Sequence, residues 1–191
     1  MKTGLFFGTF NPVHIGHMII AQYILEFSDL DEIWFMVTPH NPFKEKQTLL
    51  DDRQRLHMVH LAIGDNYRMR ASDFEFSLPQ PSYTINTLTH LQEKYPEKEF
   101  ALILGEDNLA TFHKWKNYER ILELHELYVY PRPKTKENKF ENHPRVHKVT
   151  APIMELSSTD IRTAVLQNKD VSYMLPPQVW EYIGQCGFYK K

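Results

Sequence analysis

The sequence predicts an α/β fold, a doubly wound and mainly parallel sheet with helices on both faces. Two observations predict it. Short apolar runs of β-type composition alternate with longer segments whose apolar residues recur every three or four positions. The first run, Lys2 to Phe7, leads straight into Gly8 and then into a helical stretch, the strand–turn–helix opening of such sheets.

The elements follow in chain order. Lys2–Phe7 reads as a buried first strand. His14–Phe27 reads as a helix, with a stripe of Ile15, Met18, Ile19, Tyr23 and Phe27 that Ile20 and Ile24 widen. Glu32–Val37 is a second strand, stopped by Pro39 and Pro42. Asp51–Ile63 places Leu56, Val59, His60 and Ile63 on one helical face. Met69–Phe76 alternates as a strand, Ser82–Tyr95 is a helix, and Glu99–Leu104 is a buried strand ending at Gly105. Leu127–Tyr130 and Val146–Val149 complete the strands. Ser158–Gln167 reads as a helix, and Pro176–Gly184 as another with Pro in its first turn and Gly at its end. The chain shows no repeat of fixed period. Its 191 residues suit one domain, 1–191, with a helical part from about residue 157.

Composition narrows the class. Hydrophobic residues make up 42% and aromatics 13%, which excludes disorder and collagen-like structure. Apolar runs are too short to span a bilayer, and the amino-terminal run stops too soon for a secretory signal, so a cytoplasmic protein without membrane partners is expected. Cys186 stands alone, which excludes an internal disulfide and a multi-thiolate metal site. The 22 Lys+Arg and 24 Asp+Glu give a net charge of −2 and no support for nucleic-acid binding. One compositional break, Pro131 to Lys148, carries Arg132, Lys134, Lys136, Lys139, Arg145 and Lys148 against Glu137 and Glu141. It reads as a solvated surface loop, with a lid over an anionic ligand as the sharper alternative.

The segment that carries chemistry is Gly8-Thr9-Phe10-Asn11-Pro12-Val13-His14-Ile15-Gly16-His17, at the carboxyl edge of the first strand, where open α/β sheets bind ligands. Gly8 permits close backbone approach and Pro12 stiffens the turn. His14 and His17, three apart, share a face near the positive end of a helix. Two imidazoles beside helix-terminal N–H groups suit a phosphate that gains charge in a transition state. A metal pair is the rival for the histidines, but no third ligand stands nearby in sequence. Far downstream, Leu156-Ser157-Ser158-Thr159-Asp160-Ile161-Arg162 places hydroxyl caps at a helix start and a cation one turn in, either a second anion cradle or a plain helix cap.

The first segment resembles the T/H-x-G-H signature of the nucleotidyltransferase superfamily, in the G-[TS]-F-[DN]-P-x-H-x-G-H form of the nicotinate-mononucleotide adenylyltransferases, and the second resembles their I-S-S-T-x-I-R motif. The two stand in the right order, about 140 residues apart. Pro39-His40-Asn41-Pro42-Phe43-Lys44 resembles the family's proline-rich loop ending in a cation, and Arg55 falls where it has an R-x-x-M helix. Ser82-Tyr83-Thr84 with Thr87-Leu88 is similar to its S-Y-T-x-x-T-L segment, and Gly105-Glu106-Asp107-Asn108-Leu109 followed by Trp115 to its G-x-D-x-L then W element. Pro131-Arg132-Pro133 is similar to its R-P element. Two departures stand out: Phe7 occupies a position where the family often has glycine, and Asn11 replaces the commoner Asp.

The resemblance implies a Rossmann-like sheet and transfer of AMP from ATP to nicotinate mononucleotide, giving deamido-NAD and pyrophosphate. It implies that Gly8, Thr9, Phe10, His14, Gly16, His17, Ser157, Ser158, Thr159, Ile161 and Arg162 bind ATP. It places Tyr83, Thr84, Gly105, Asp107, Trp115, Lys44 and Arg55 at the pyridine nucleotide, and gives His14, His17, Lys44 and Arg162 the catalytic work. The sequence shows no dedicated carboxylate cage, so Mg²⁺ is expected to travel with the ATP phosphates. Rival acceptors are nicotinamide mononucleotide and phosphopantetheine, the latter disfavoured because it has no flat ring for Trp115. A catalytically silent nucleotide sensor is the non-enzyme alternative. The sequence leaves a homo-oligomer open.

Overall fold

The computed structural model describes residues 1–39, 49–133 and 139–190. They form a six-stranded sheet of β1 (Lys2–Gly8), β2 (Glu32–Val37), β3 (Met69–Ser72), β4 (Glu99–Gly105), β5 (Leu127–Tyr130) and β6 (Val146–Lys148) in the order β3-β2-β1-β4-β5-β6. Every pairing among them is parallel. The chain builds outward from β1 to β3, then crosses back to lay β4 on the other side of β1. The strand order therefore reverses between β1 and β4, and the crevice beyond their carboxyl ends is where such a sheet binds ligands.

Two-residue alternation sends successive side chains to opposite faces. Phe6, Ile33, Phe35, Ala101, Ile103 and Tyr128 pack on one face with Ile20, Ile24, Met58, Ile161, Val165, Val179 and Ile183. Those residues bring in α1 (Ile15–Phe27), α2 (Asp52–Ile63), α6 (Ser158–Leu166) and α7 (Pro177–Cys186). Leu5, Trp34, Phe100, Leu102 and Val129 face the other way, against Ile85, Leu88, Leu91, Leu109 and Ile121 of α3 (Thr84–Lys94), α4 (Glu106–Thr111) and α5 (Tyr118–Leu124). The predicted doubly wound sheet is thus observed, with a core on each face. Among the described residues no helix is long and apolar enough to cross a membrane.

Several elements differ from expectation. The strand expected over Met69–Phe76 stops at Ser72, and Phe74–Ser77 forms a 3-10 turn. The buried side of α1 is Ile20, Ala21, Ile24 and Leu25, while Phe27 lies 70% exposed, stacked on Tyr23. On α2 the buried residues are Arg55, Met58 and Val59, and His60 is exposed. Helix α7 runs through Gly184 and is capped by Gly187 at φ +67°.

Candidate active site

The turn after β1 is built around a buried ring. Phe10 adopts φ +46°, a left-handed conformation uncommon for a side-chain-bearing residue. A Cβ at Gly8 would lie 2.8 Å from Phe10 Cζ. The space that a side chain at position 8 would need is filled by Phe10, while Gly8 itself stays partly exposed. That ring packs edge-on to Phe6 at 5.9 Å and to His17 at 5.1 Å, and is 2% exposed. The side chain of Phe10, expected at ATP, is therefore core, and only its backbone shapes the turn.

Donors from distant elements hold the oxygens of this turn. Thr9 O accepts from Arg55 Nη1 at 2.5 Å, Asn11 O from Arg162 Nη1 at 2.8 Å, and Pro12 O from Ser158 Oγ at 2.9 Å. Asn11 Oδ1 accepts from Leu50 N–H at 3.3 Å and from the Tyr189 hydroxyl at 2.8 Å. With cations and hydroxyls on its oxygens, the turn opposes a neighbouring anion less. Thr9 itself is exposed.

His14 caps α1 as a backbone-extended residue, and its N–H donates to His17 Nδ1 at 3.2 Å. The rings stack at 3.7 Å between centroids and 28° between planes. Gly16 makes the arrangement possible, since a Cβ there would come within 3.1 Å of His14 Cε1 and Nδ1. Burial pushes the His14 imidazole down to about 4, and the positive Arg132 adds to the effect. Burial, His14 and Arg132 hold His17 well below the ordinary range. For the chain by itself, both shifts favour the neutral imidazole, which carries one N–H donor on each ring. His14 Nδ1 is buried without a hydrogen-bond partner among the described residues.

The second motif docks onto the first. Ser157 caps α6, donating from Oγ to Asp160 Oδ2 at 2.5 Å and accepting from Asp160 N–H at 3.2 Å. Ser158 is spent on Pro12, and Thr159 Oγ1 accepts from Arg162 Nη2 at 3.2 Å. The Ser157 and Ser158 hydroxyls donate to protein acceptors whereas that of Thr159 accepts, so what α6 offers an anion is its N-terminal backbone, the Thr159 O–H and the Arg162 side chain. Ile161 is fully buried in the core and is corrected from ligand contact to packing.

Across the crevice, β4 ends at Gly105, where a Cβ would collide with Asp107 Oδ1 and sit 3.1 Å from Arg132 Cγ. Arg132, just past β5, lies with Nε 3.8 Å from Asp107 Oδ1, its N–H on Glu106 Oε2 at 3.2 Å and its guanidinium 5.2 Å from the centroid of the Tyr130 ring. Tyr83 caps α3 and Thr84 begins it. Behind them the buried Glu75 accepts from Thr87 Oγ1 at 2.6 Å, and burial pushes its carboxyl up. Lys116 Nζ sits 4.5 Å above the Tyr83 ring, which joins this helix start to the half-buried Trp115, itself 5.2 Å from Phe112.

Two expected residues fall elsewhere. Lys44 lies outside the described residues. Arg55 is fully buried, with Nε on Leu50 O at 3.0 Å, Nη1 on Thr9 O and on Thr38 O at 2.9 Å, and Nη2 on Asp52. It is a strut beneath the turn rather than a contact for the pyridine nucleotide. Sequence reasoning also gave too little weight to Arg132, whose charge acts on both histidines; its signal was an arginine between prolines at the end of a strand.

A model of the cytidylyltransferase-like family matches residues 5–164, and the chain belongs to that family. It is 58% identical over 193 residues, spanning all of both chains, to the probable nicotinate-nucleotide adenylyltransferase of Flavobacterium johnsoniae. The same identity and coverage relate it to the protein of that name from Flavobacterium psychrophilum. These relatives place it among the nicotinate-nucleotide adenylyltransferases. Its fold is also that of Plasmodium falciparum nicotinic acid mononucleotide adenylyltransferase complexed with NaAD, at TM-score 0.83 and 19% identity, covering 98% of this chain and 97% of that one.

Proposed function

We infer that this chain transfers the adenylyl group of ATP to nicotinate mononucleotide, forming deamido-NAD and pyrophosphate in NAD biosynthesis. The observation that carries the reading is the docking of two distant motifs, Ser158 on Pro12 O and Arg162 on Asn11 O, which sets the histidine pair and the start of α6 beside one turn. Full-length identity to relatives of that name supports the choice of acceptor.

In this reaction a phosphate oxygen of the acceptor bonds to the α-phosphorus of ATP. The bond from that phosphorus to the β-bridging oxygen breaks, and its electron pair leaves with pyrophosphate. A phosphate monoester is largely ionised at neutral pH, its second pKa being about 6, so the nucleophile needs no protein base. Alignment of two polyanions can supply roughly 7–11 kcal/mol. His17 accepts at Nδ1, so its neutral ring carries the proton on Nε2, a donor for charge that builds on the α-phosphate. Arg162 and Lys44 steady the leaving pyrophosphate, and Arg132 adds a cation near the histidines. Trp115 offers a flat face to the pyridine ring, Tyr83, Thr84 and the backbone after Gly105 offer donors to its carboxylate, and Asp107 suits a ribose hydroxyl.

Among the described residues no three His, Cys, Asp or Glu side chains converge to hold an ion. In this reading Mg²⁺ would come with the ATP phosphates and would neutralise their charge. The reading also carries a cytoplasmic site of action, where ATP is supplied.

Pyrophosphate release with ATP and Mg²⁺ tests it, with nicotinate mononucleotide and nicotinamide mononucleotide offered in parallel. A strong preference for the acid is expected. Preference for the amide would keep the chemistry and replace the acceptor, and no release with either would overturn adenylyl transfer to a pyridine nucleotide.

A further inference from the structure

We infer that Tyr189 is a positioning residue of the adenylyl-transfer site, acting through Asn11 on the turn after β1 and on Arg162. The inference rests on the adenylyl-transfer reading above. Gly187 ends α7 in the left-handed conformation at φ +67°, with Gly187 N–H on Gly184 O at 3.3 Å and Phe188 N–H on Ile183 O at 3.1 Å. This cap turns the chain back toward the sheet's carboxyl edge. Phe188 anchors the returning segment edge-on to Tyr182, with centroids 5.5 Å apart. Tyr189 then takes φ +62°, a conformation that side-chain-bearing residues adopt only where their surroundings enforce it.

The hydroxyl that this backbone delivers donates to Asn11 Oδ1 at 2.8 Å. Asn11 is 4% exposed and is the residue whose main-chain oxygen holds Arg162 Nη1. One residue thus takes the Tyr189 hydroxyl on its side chain and the motif arginine on its backbone. Leu50 N–H is a second donor to Oδ1, longer at 3.3 Å. A carboxamide can turn end for end at little steric expense, and the phenol is the stronger of the two donors that fix which end faces the tail. The guanidinium groups of Arg55 and Arg162 both act electrostatically on the phenol, and both hold main-chain oxygens of this same turn. Removing the hydroxyl loosens Asn11, and with it the seat of Arg162.

The test compares Tyr189→Phe with Tyr182→Phe in the full chain, reading kcat and KM for ATP from pyrophosphate release, and stability from chemical unfolding. Tyr189→Phe is expected to lower kcat about tenfold while KM for ATP changes less than about threefold, the pattern of lost alignment rather than lost binding. Tyr182→Phe, whose ring touches Phe188 and His57 and not the turn, is expected to keep wild-type kcat. In Asn11→Ala, adding Tyr189→Phe is expected to change kcat no further, since the hydroxyl acts through Asn11. Unchanged kcat in Tyr189→Phe would overturn the inference, as would equal losses in the two tyrosine variants or a full multiplicative loss in the double variant. Wild-type protein that releases no pyrophosphate would instead overturn the underlying reading.

Discussion

The backbone N–H of His14 donates to Nδ1 of His17 at 3.2 Å, so one residue of the histidine pair fixes the tautomer of the other. The contact also closes the first turn of α1, because His14 is its cap. Helix start and imidazole orientation are one feature, with the two rings stacked at 3.7 Å.

That contact leaves the proton of a neutral His17 ring on Nε2. Under the proposed adenylyl transfer, this N–H serves charge that grows only as the α-phosphorus reacts. His17→Ala is therefore expected to lower kcat by about 10²–10³-fold, the loss typical of a donor aimed at developing charge, and to change KM for ATP only a few-fold. Steady-state pyrophosphate release checks this. Parallel losses in affinity and turnover would mark His17 as a ground-state binder.

Burial of His14 implies a signature in stability against pH. Its folded-state pKa is depressed from 6.5 to about 4, so the unfolded chain takes up the proton first as pH falls. Stability is full above pH 6.5, declines through the window from 6.5 to 4, and levels off once the folded ring also protonates. At about 1.4 kcal/mol per pH unit, the window is worth roughly 3 kcal/mol for a fully depressed group. His14→Gln lacks this titration, so the stability advantage of wild type over the variant is expected to shrink between pH 7 and pH 4.5 in urea unfolding. A difference that stays constant with pH would show that His14 is not held neutral.

Much of this was legible in the sequence, and the parts that were not share a physical cause. Strands such as Glu32–Val37 are buried on both faces and read as unbroken apolar runs. Helices α4 and α5, of 6 and 7 residues, are too short to display a 3.6-residue period and were not anticipated. In α1 apolar residues surround the axis, so periodicity selected Phe27 where packing selected Leu25. The histidine and Ser-Ser-Thr segments stood out because their chemistry lies within a few consecutive residues. The roles of Arg55 and Tyr189 depend on partners 46 and 178 positions away, and no local pattern announces such contacts.

Arg55 illustrates the consequence. A fully buried guanidinium that serves three backbone carbonyls leaves them unsatisfied when it is removed. Arg55→Ala is expected to destabilise the protein by about 3 kcal/mol or more, seen as an earlier midpoint in urea. The effect on kinetics should follow the loss of folded protein. A selective rise in KM for the pyridine nucleotide at unchanged stability would return Arg55 to the ligand side.

Gly16 tests whether the histidine stack can yield. In an ordinary helix, replacing glycine by alanine gains about 1 kcal/mol, because the more restricted residue loses less entropy on folding. Here the new methyl would sit 3.1 Å from His14 Cε1 and Nδ1 and 3.6 Å from Met154 Cβ. The His14 ring is already pressed on His17, so relief must come from shifting the stacked pair, to which the proposed function gives the α-phosphate. Gly16→Ala is therefore expected to lower kcat about tenfold, since displacements well under 1 Å matter at an aligned site, and to realise little of the usual stability gain. Turnover and urea midpoint measured on the same preparation decide it. Unchanged turnover with the full gain in stability would mean that the stacked rings move freely and that their spacing does not set the rate.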